Sequence, residues 1–165
     1  NKLLPLITAN TYGIVPYKLE NTLSDYGTVS RGECLFKNNH LVKIIEHTQL
    51  ARENQKVTTA NGKQLALDTL VSMNFWVFHT SVLTYLSHYF QFFLDQHKDN
   101  QEAEFFLPEV ISTLIQKKHI NVISEPTNSD WFGITYAEDR EVAKEKINDL
   151  KHKEIYPEQL WNVPS

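Results

Sequence analysis

The chain is poor in several residues that carry well-known chemistries. Among its 165 residues there is one cysteine and five glycines. A lone Cys34 excludes an intramolecular disulfide and a Cys-rich zinc site, and suits a reducing compartment. Five scattered glycines leave no Gly-rich loop to cradle a phosphate, and no Gly-x-Ser-x-Gly elbow occurs. No basic run exceeds Lys117-Lys118, and the net charge is −4. Both argue against a nucleic-acid surface, which normally presents a clustered basic face. No apolar run approaches the ~18 residues that span a bilayer. The opening Asn1-Lys2-Leu3-Leu4-Pro5-Leu6-Ile7 lacks a signal peptide's long apolar region and small-residue cleavage site. The expectation is a cytoplasmic protein with neither membrane nor nucleic-acid partners.

Aromatics are plentiful: nine Phe, seven Tyr and three Trp make up 12% of the chain. They can furnish core, a sugar-stacking wall or an interface. The β-branched and aromatic stretch from Thr11 to Leu19 predicts a first strand, with Pro16 marking an edge or bulge. Val29–Phe36 and Leu41–His47 predict a hairpin across Lys37-Asn38-Asn39-His40. Asn61-Gly62 predicts a second hairpin between Val57-Thr58-Thr59 and Gln64–Leu67. Thr69–Phe78 is apolar at nearly every position, as expected of a strand covered on both faces.

The second half reads as mainly helical. Thr80 is placed to cap a helix whose buried stripe would be Leu83, Leu86, Tyr89, Phe90 and Phe93. Pro108 suits the first turn of another, with Ile111, Leu114 and Ile115 inward. Strands at His119–Ser124 and Trp131–Thr135 and a charged helix over Glu138–Lys151 follow, with a last short turn at Pro157–Trp161. The alternation predicts a single α/β domain, residues 1–165, with a mixed β-sheet flanked by helices.

Seven histidines raise the question of a metal site. His47, His79, His88 and His97 are its most plausible members, but none forms HExxH or His-x-His spacing, and ordinary histidines account for them better. Cys34 falls mid-strand without an adjacent base or helix N-terminus to activate it. There remain Tyr26-Gly27, Glu46-His47, Asn74 to Trp76, Glu104 and Trp131 to Thr135, mostly beside predicted strands, where an open α/β sheet places its ligand crevice. A carboxylate there could accept hydrogen bonds from sugar hydroxyls. On the residues alone a turn glycine, a solvated glutamate and core aromatics account for them better, since such residues occur in any α/β protein.

In their order, these stretches resemble the second half of the sugar-1-phosphate nucleotidyltransferases, the NDP-sugar pyrophosphorylase or uridylyltransferase-like group. The resemblance runs from Tyr12 to Trp161. It rests on Tyr26-Gly27 followed by Ile44-Ile45-Glu46-His47-Thr48, on Val71–Phe78, on Glu104-Phe105-Phe106-Leu107-Pro108, and on the Trp131–Asp139 loop. It implies the C-terminal part of a Rossmann-like nucleotide-diphospho-sugar transferase fold, with the N-terminal nucleotide-binding part absent. The complete enzyme would join an NTP and a sugar 1-phosphate into an NDP-sugar and pyrophosphate, with Mg²⁺ and basic residues stabilising the developing charge.

Carried over by position, Gly27 offers backbone contact to the sugar and Glu46 accepts from its hydroxyls. His47 stands where the family often has a Lys reaching the sugar phosphate. Asn74 and Trp76 line the sugar pocket, and Glu104 supports it. Gly133 stands where better-known members place a metal-binding Asp, with Asp130 and Asp139 out of register. No catalytic or metal-binding residue is therefore assigned, and Mg²⁺ is expected for the complete enzyme but not held by this chain alone. The expected partners are the sugar 1-phosphate, the NTP or NDP-sugar, and a second copy or a complementing N-terminal half. Uridine with a hexose 1-phosphate is the default, and cytidine with a choline-phosphate-like acceptor a neighbour. The alternative is a non-catalytic sugar-phosphate-binding or protein-interaction module of the same ancestry.

Overall fold

A computed structural model describes residues 2–24, 27–54, 56–134, 137 and 139–159. The chain divides into two compact units, Asn1–Asp130 and Trp131–Ser165. The first is mixed α/β, with a curled mixed sheet whose strands run β1 (Thr11–Ile14), β2 (Tyr17–Lys18), β3 (Val29–Lys37), β4 (His40–Glu53), β5 (Lys56–Thr58), β6 (Gln64–Ala66), β7 (Leu70–Ser72), β8 (Trp76–Val77) and β9 (Asn121–Ser124). Helices α1 (Val82–Gln96) and α2 (Leu107–Gln116) lie between β8 and β9. The spatial order is β2-β7-β3-β4-β9-β1-β8, with β5 and β6 extending from β4. β1 and β9 pair in parallel and the other ladders are antiparallel.

Turn chemistry fixes much of this path. Asn38 and Asn39 both take positive φ (51° and 64°), as the two central residues of a tight hairpin turn require, and Asn tolerates that region better than most residues. The turn is locked from outside: Asn39 Nδ2 donates to the Ser124 carbonyl at 2.9 Å, and Ser124 Oγ donates to Asn39 Oδ1 at 2.6 Å. The second hairpin turns at Gly62, φ +78°.

Two cores sit on the sheet. Tyr12, Ile14, Cys34, Leu41, Ile120 and Val122 pack with Val82 of α1 and Val110, Ile111 and Leu114 of α2. Leu19, Leu50, Val57, Leu65 and Val71 form a second, smaller core. The long strand β4 serves both. Its ladder with β3 shifts register between Val29 and Arg31, where Gln49 takes φ 53°. The extra residue returns Leu50 to the side of the ladder that His47 occupies, where the second core forms.

Several expectations are corrected. The continuous strand Thr69–Phe78 is two short strands, because Asn74 takes φ 56° between them; Phe75 beside it is 51% exposed. α1 starts at Val82 with Ser81, not Thr80, at the cap position, and without a side-chain cap. Ser81 Oγ donates instead to the Ala9 carbonyl (2.8 Å) and contacts Tyr12 Oη (2.9 Å), tying the helix start to β1. The inner face of α1 is Val82, Tyr85, Leu86 and Tyr89, while Leu83 is 62% and Phe90 45% exposed.

α2 matches its expected inner face and ends in a Schellman motif. Lys118 takes φ 59°, its N–H bonds the Ile115 carbonyl, and the His119 N–H bonds that of Leu114. That closure turns the chain directly into β9.

In the second unit, 131–134 is irregular rather than a strand, and Thr135 lies outside the described residues. The helix α3 spans Asp139–His152; Glu138, also expected in it, is likewise outside. Lys146 Nζ sits 5.5 Å from the Phe132 ring centroid, a cation–π distance. The expected final turn reaches Trp161, which is outside the description as well, and residues 157–159 form no helix or strand. Among the described residues no helix is long and apolar enough to cross a membrane.

Candidate functional site

The ladder β7-β3-β4 sets Ser72, Gly32 and Glu46 in one row, since Gly32 pairs with Ser72 on one side and Glu46 on the other. Residues directly opposite across a ladder share a face. Gly32 has no side chain because there is no room for one. A Cβ there would come 2.6 Å from Ile44 Cγ2, 3.2 Å from Glu46 Oε2 and 3.7 Å from Ser72 Cβ. Glu46 and Ser72 thus flank Gly32, which is buried, with Ile44 Cγ2 filling the space a side chain would take.

The row continues beyond the strand break. The Asn74 N–H donates to Ser72 Oγ at 3.2 Å, and the Trp76 indole N–H donates to Asn74 Oδ1 at 3.3 Å. Trp76 is half-buried and stacks on Phe78 at 5.7 Å between centroids, 11° from parallel. Three of the expected residues, Glu46, Asn74 and Trp76, therefore fall along one run, joined through Gly32 and Ser72. Loss of water around the Glu46 carboxyl raises its pKa, against the opposing charges of His47 and Arg31.

His47 is placed differently. Strand alternation turns it away from Glu46, and it is buried beside Arg31, its partner on β3. Its Nε2 lies 2.7 Å from Glu33 Oε2, and the Lys63 ammonium reaches the same oxygen at 2.8 Å. An ionised carboxylate only accepts, so His47 Nε2 carries the hydrogen. Burial pushes the Glu33 carboxyl up, yet the hydrogen bonds from Lys63 and His47, and then their charges, hold it below the ordinary carboxylate value. His47 is thus engaged in a hydrogen-bonded cluster around the Glu33–Lys63 ion pair, on the reverse of the Glu46 row. Gly27 is exposed, with nothing within 4 Å of where a Cβ would be, and Tyr26 lies outside the described residues. Glu104 is exposed between α1 and α2. No hydrogen bond among the described residues ties Gly27 or Glu104 to the row.

Sequence reasoning missed Gly32, Ser72, Glu33 and Lys63. A signal existed for the first: an isolated Gly inside a strand pattern marks a bulge or a close approach. Burial raises the Cys34 thiol to about 12, with the Glu33 and Glu46 carboxylates adding to the effect, so it is no nucleophile. His79 Nδ1 accepts the Ser81 N–H at 3.1 Å while Ser81 Oγ donates to Ala9, so this Ser–His neighbourhood is already satisfied. Among the described residues no group of three or more His, Cys, Asp or Glu could hold a metal ion. No family model and no curated protein matches the chain.

Proposed function

We propose that this chain supplies the sugar-phosphate pocket of a nucleotidyltransferase that forms an NDP-sugar and pyrophosphate from an NTP and a sugar 1-phosphate, within a Rossmann-like sheet. The observation that carries the reading is the row Glu46–Gly32–Ser72–Asn74–Trp76, which gathers four side chains suited to a carbohydrate along one run. Glu46 would accept from sugar hydroxyls, Ser72 and Asn74 add polar contacts, and the Trp76 ring offers an apolar wall, its N–H being already engaged by Asn74. The residues do not fit a metal site, so no step is routed through Mg²⁺. His47 drops out of the pocket in this reading, and no role is drawn for Gly27 or Glu104.

Calorimetric titration of the chain with glucose 1-phosphate, UTP and UDP-glucose tests it. A hydrogen bond to a charged group contributes roughly 1.5–3 kcal/mol, so Glu46→Ala should weaken the sugar ligands by roughly 10- to 100-fold. A folded chain that binds neither glucose 1-phosphate nor UDP-glucose would overturn the proposal.

A further inference from the structure

The Glu33–His47–Lys63 cluster joins three separate pieces of chain. Glu33 is on β3, His47 on β4, and Lys63 in the turn between β5 and β6. Both donors converge on one carboxylate oxygen, and the His47 and Glu33 side chains are only 8% and 12% exposed. The turn touches β4 through one further bond, the Ala60 N–H donating to the Thr48 carbonyl at 3.2 Å. Across β7 Glu33 pairs with apolar Val71, and along the strands the charged residues of this stretch are Arg31, two positions away on β3, and Glu46, beside His47 on β4.

We infer that this cluster is a charge-dependent clasp that holds the turn of the β5–β6 hairpin against the β3–β4 ladder, directly behind the row bearing Gly32 and Glu46. Glu33 and His47 are thereby positioning residues: each adjoins, on its own strand, one member of the Gly32–Glu46 pair. Without the negative charge on Glu33, the Lys63 ammonium loses its reason to stay; the hairpin strands remain held by the β4–β5 ladder and the buried Val57 and Leu65, and the turn itself keeps the Ala60 bond to β4. The influence on ligand binding rests on the sugar-phosphate reading; the clasp does not.

Amide hydrogen exchange of the full chain tests it, with Ala60 as reporter and Val122 on β9 as control. Glu33→Gln keeps the shape but removes the charge, and Lys63→Met removes the partner from a position 47% exposed, where folding is not at risk. Each should lower Ala60 protection about tenfold while Val122 keeps its own, and the double variant should do little more than either alone. In wild type, Ala60 protection should fall as Glu33 is protonated. Unchanged Ala60 protection in both variants, or an equal loss at Val122, would overturn the clasp. If Ala60 responds as expected yet Lys63→Met leaves glucose 1-phosphate affinity untouched, the coupling to the site is wrong. If no variant or wild-type sample binds that ligand, the sugar-phosphate reading fails and the clasp stands on exchange alone.

Discussion

Replacing Gly32 by alanine places a methyl 2.6 Å from Ile44 Cγ2, where ordinary contact begins near 3.4 Å. The obstructing atom is the branched methyl of a strand residue packed against the main core, so it cannot swing aside as the tip of a long side chain would. Insertions of one methyl group into packed surroundings cost about 1–3 kcal/mol. With a urea dependence of roughly 1–3 kcal/mol per molar, the midpoint should fall by roughly 1 M. Gly27→Ala is the matched control. Nothing lies within 4 Å of that Cβ and the backbone is outside the left-handed region, so the change should be neutral or raise stability by up to about 1 kcal/mol. Urea unfolding followed by far-ultraviolet circular dichroism compares the two directly. The same Gly32 methyl stands 3.2 Å from Glu46 Oε2, so under the proposed function sugar-phosphate binding should suffer beyond the loss of stability. A Gly32→Ala chain as stable as wild type would refute the reasoning, since no relaxed position for Ile44 was foreseen.

Other consequences can be checked as simply. Cys34, its thiol raised to about 12 by burial, should resist alkylation at pH 8 in the folded chain and react fully in denaturant; rapid stoichiometric labelling of native protein would contradict its placement. The Glu33 carboxyl is held below its ordinary 4.5, so its charged form adds stability above that value, and this is lost as pH falls through the lower folded value. The stability gap between wild type and Glu33→Gln should therefore be full at pH 7 and close in strong acid; a gap constant across that range would be inconsistent with the ion pairing. Asn39→Ala removes two hydrogen bonds to Ser124 and leaves a non-glycine residue at φ 64°. The expected loss is about 1–3 kcal/mol in denaturant unfolding, and a loss under 0.5 kcal/mol would count against it.

The two hairpins were legible because a polar turn of hairpin length at 37–40 and Asn61-Gly62 are local signals; Asn38, Asn39 and Gly62 take the positive φ such turns need. The break at Asn74 was not, since an apolar run says nothing about one left-handed residue within it. The phase of α1 was unreadable for a related reason. Leu83, Leu86, Tyr89, Phe90, Phe92, Phe93 and Leu94 spread over rather more than half of that helix's circumference, and an apolar arc so wide does not say which part of it meets the core. Glu46, Asn74 and Trp76 could be chosen by residue type, but Ser72 and Gly32 join them only through strand register, which depends on pairings far apart in sequence. His47 shows the limit most plainly. Its neighbour Glu46 suggested a shared task, and the two-residue period of a strand sends them to opposite faces.

The parallel pairing of β1 with β9 has a consequence for how the chain is made. Thr11 and Asn121 are register partners, as are Ile14 and Ser124, so the inner edge of β1 has no neighbour until some 110 further residues exist. At translation speeds of about 5–20 residues per second, that is roughly 5–20 s on the ribosome. Throughout that interval Tyr12 and Ile14, both fully buried at the end, lack the strand that covers them. Such distant closure makes for slow folding. The nascent chain therefore leaves these two side chains uncovered on that edge until β9 emerges and pairs with β1.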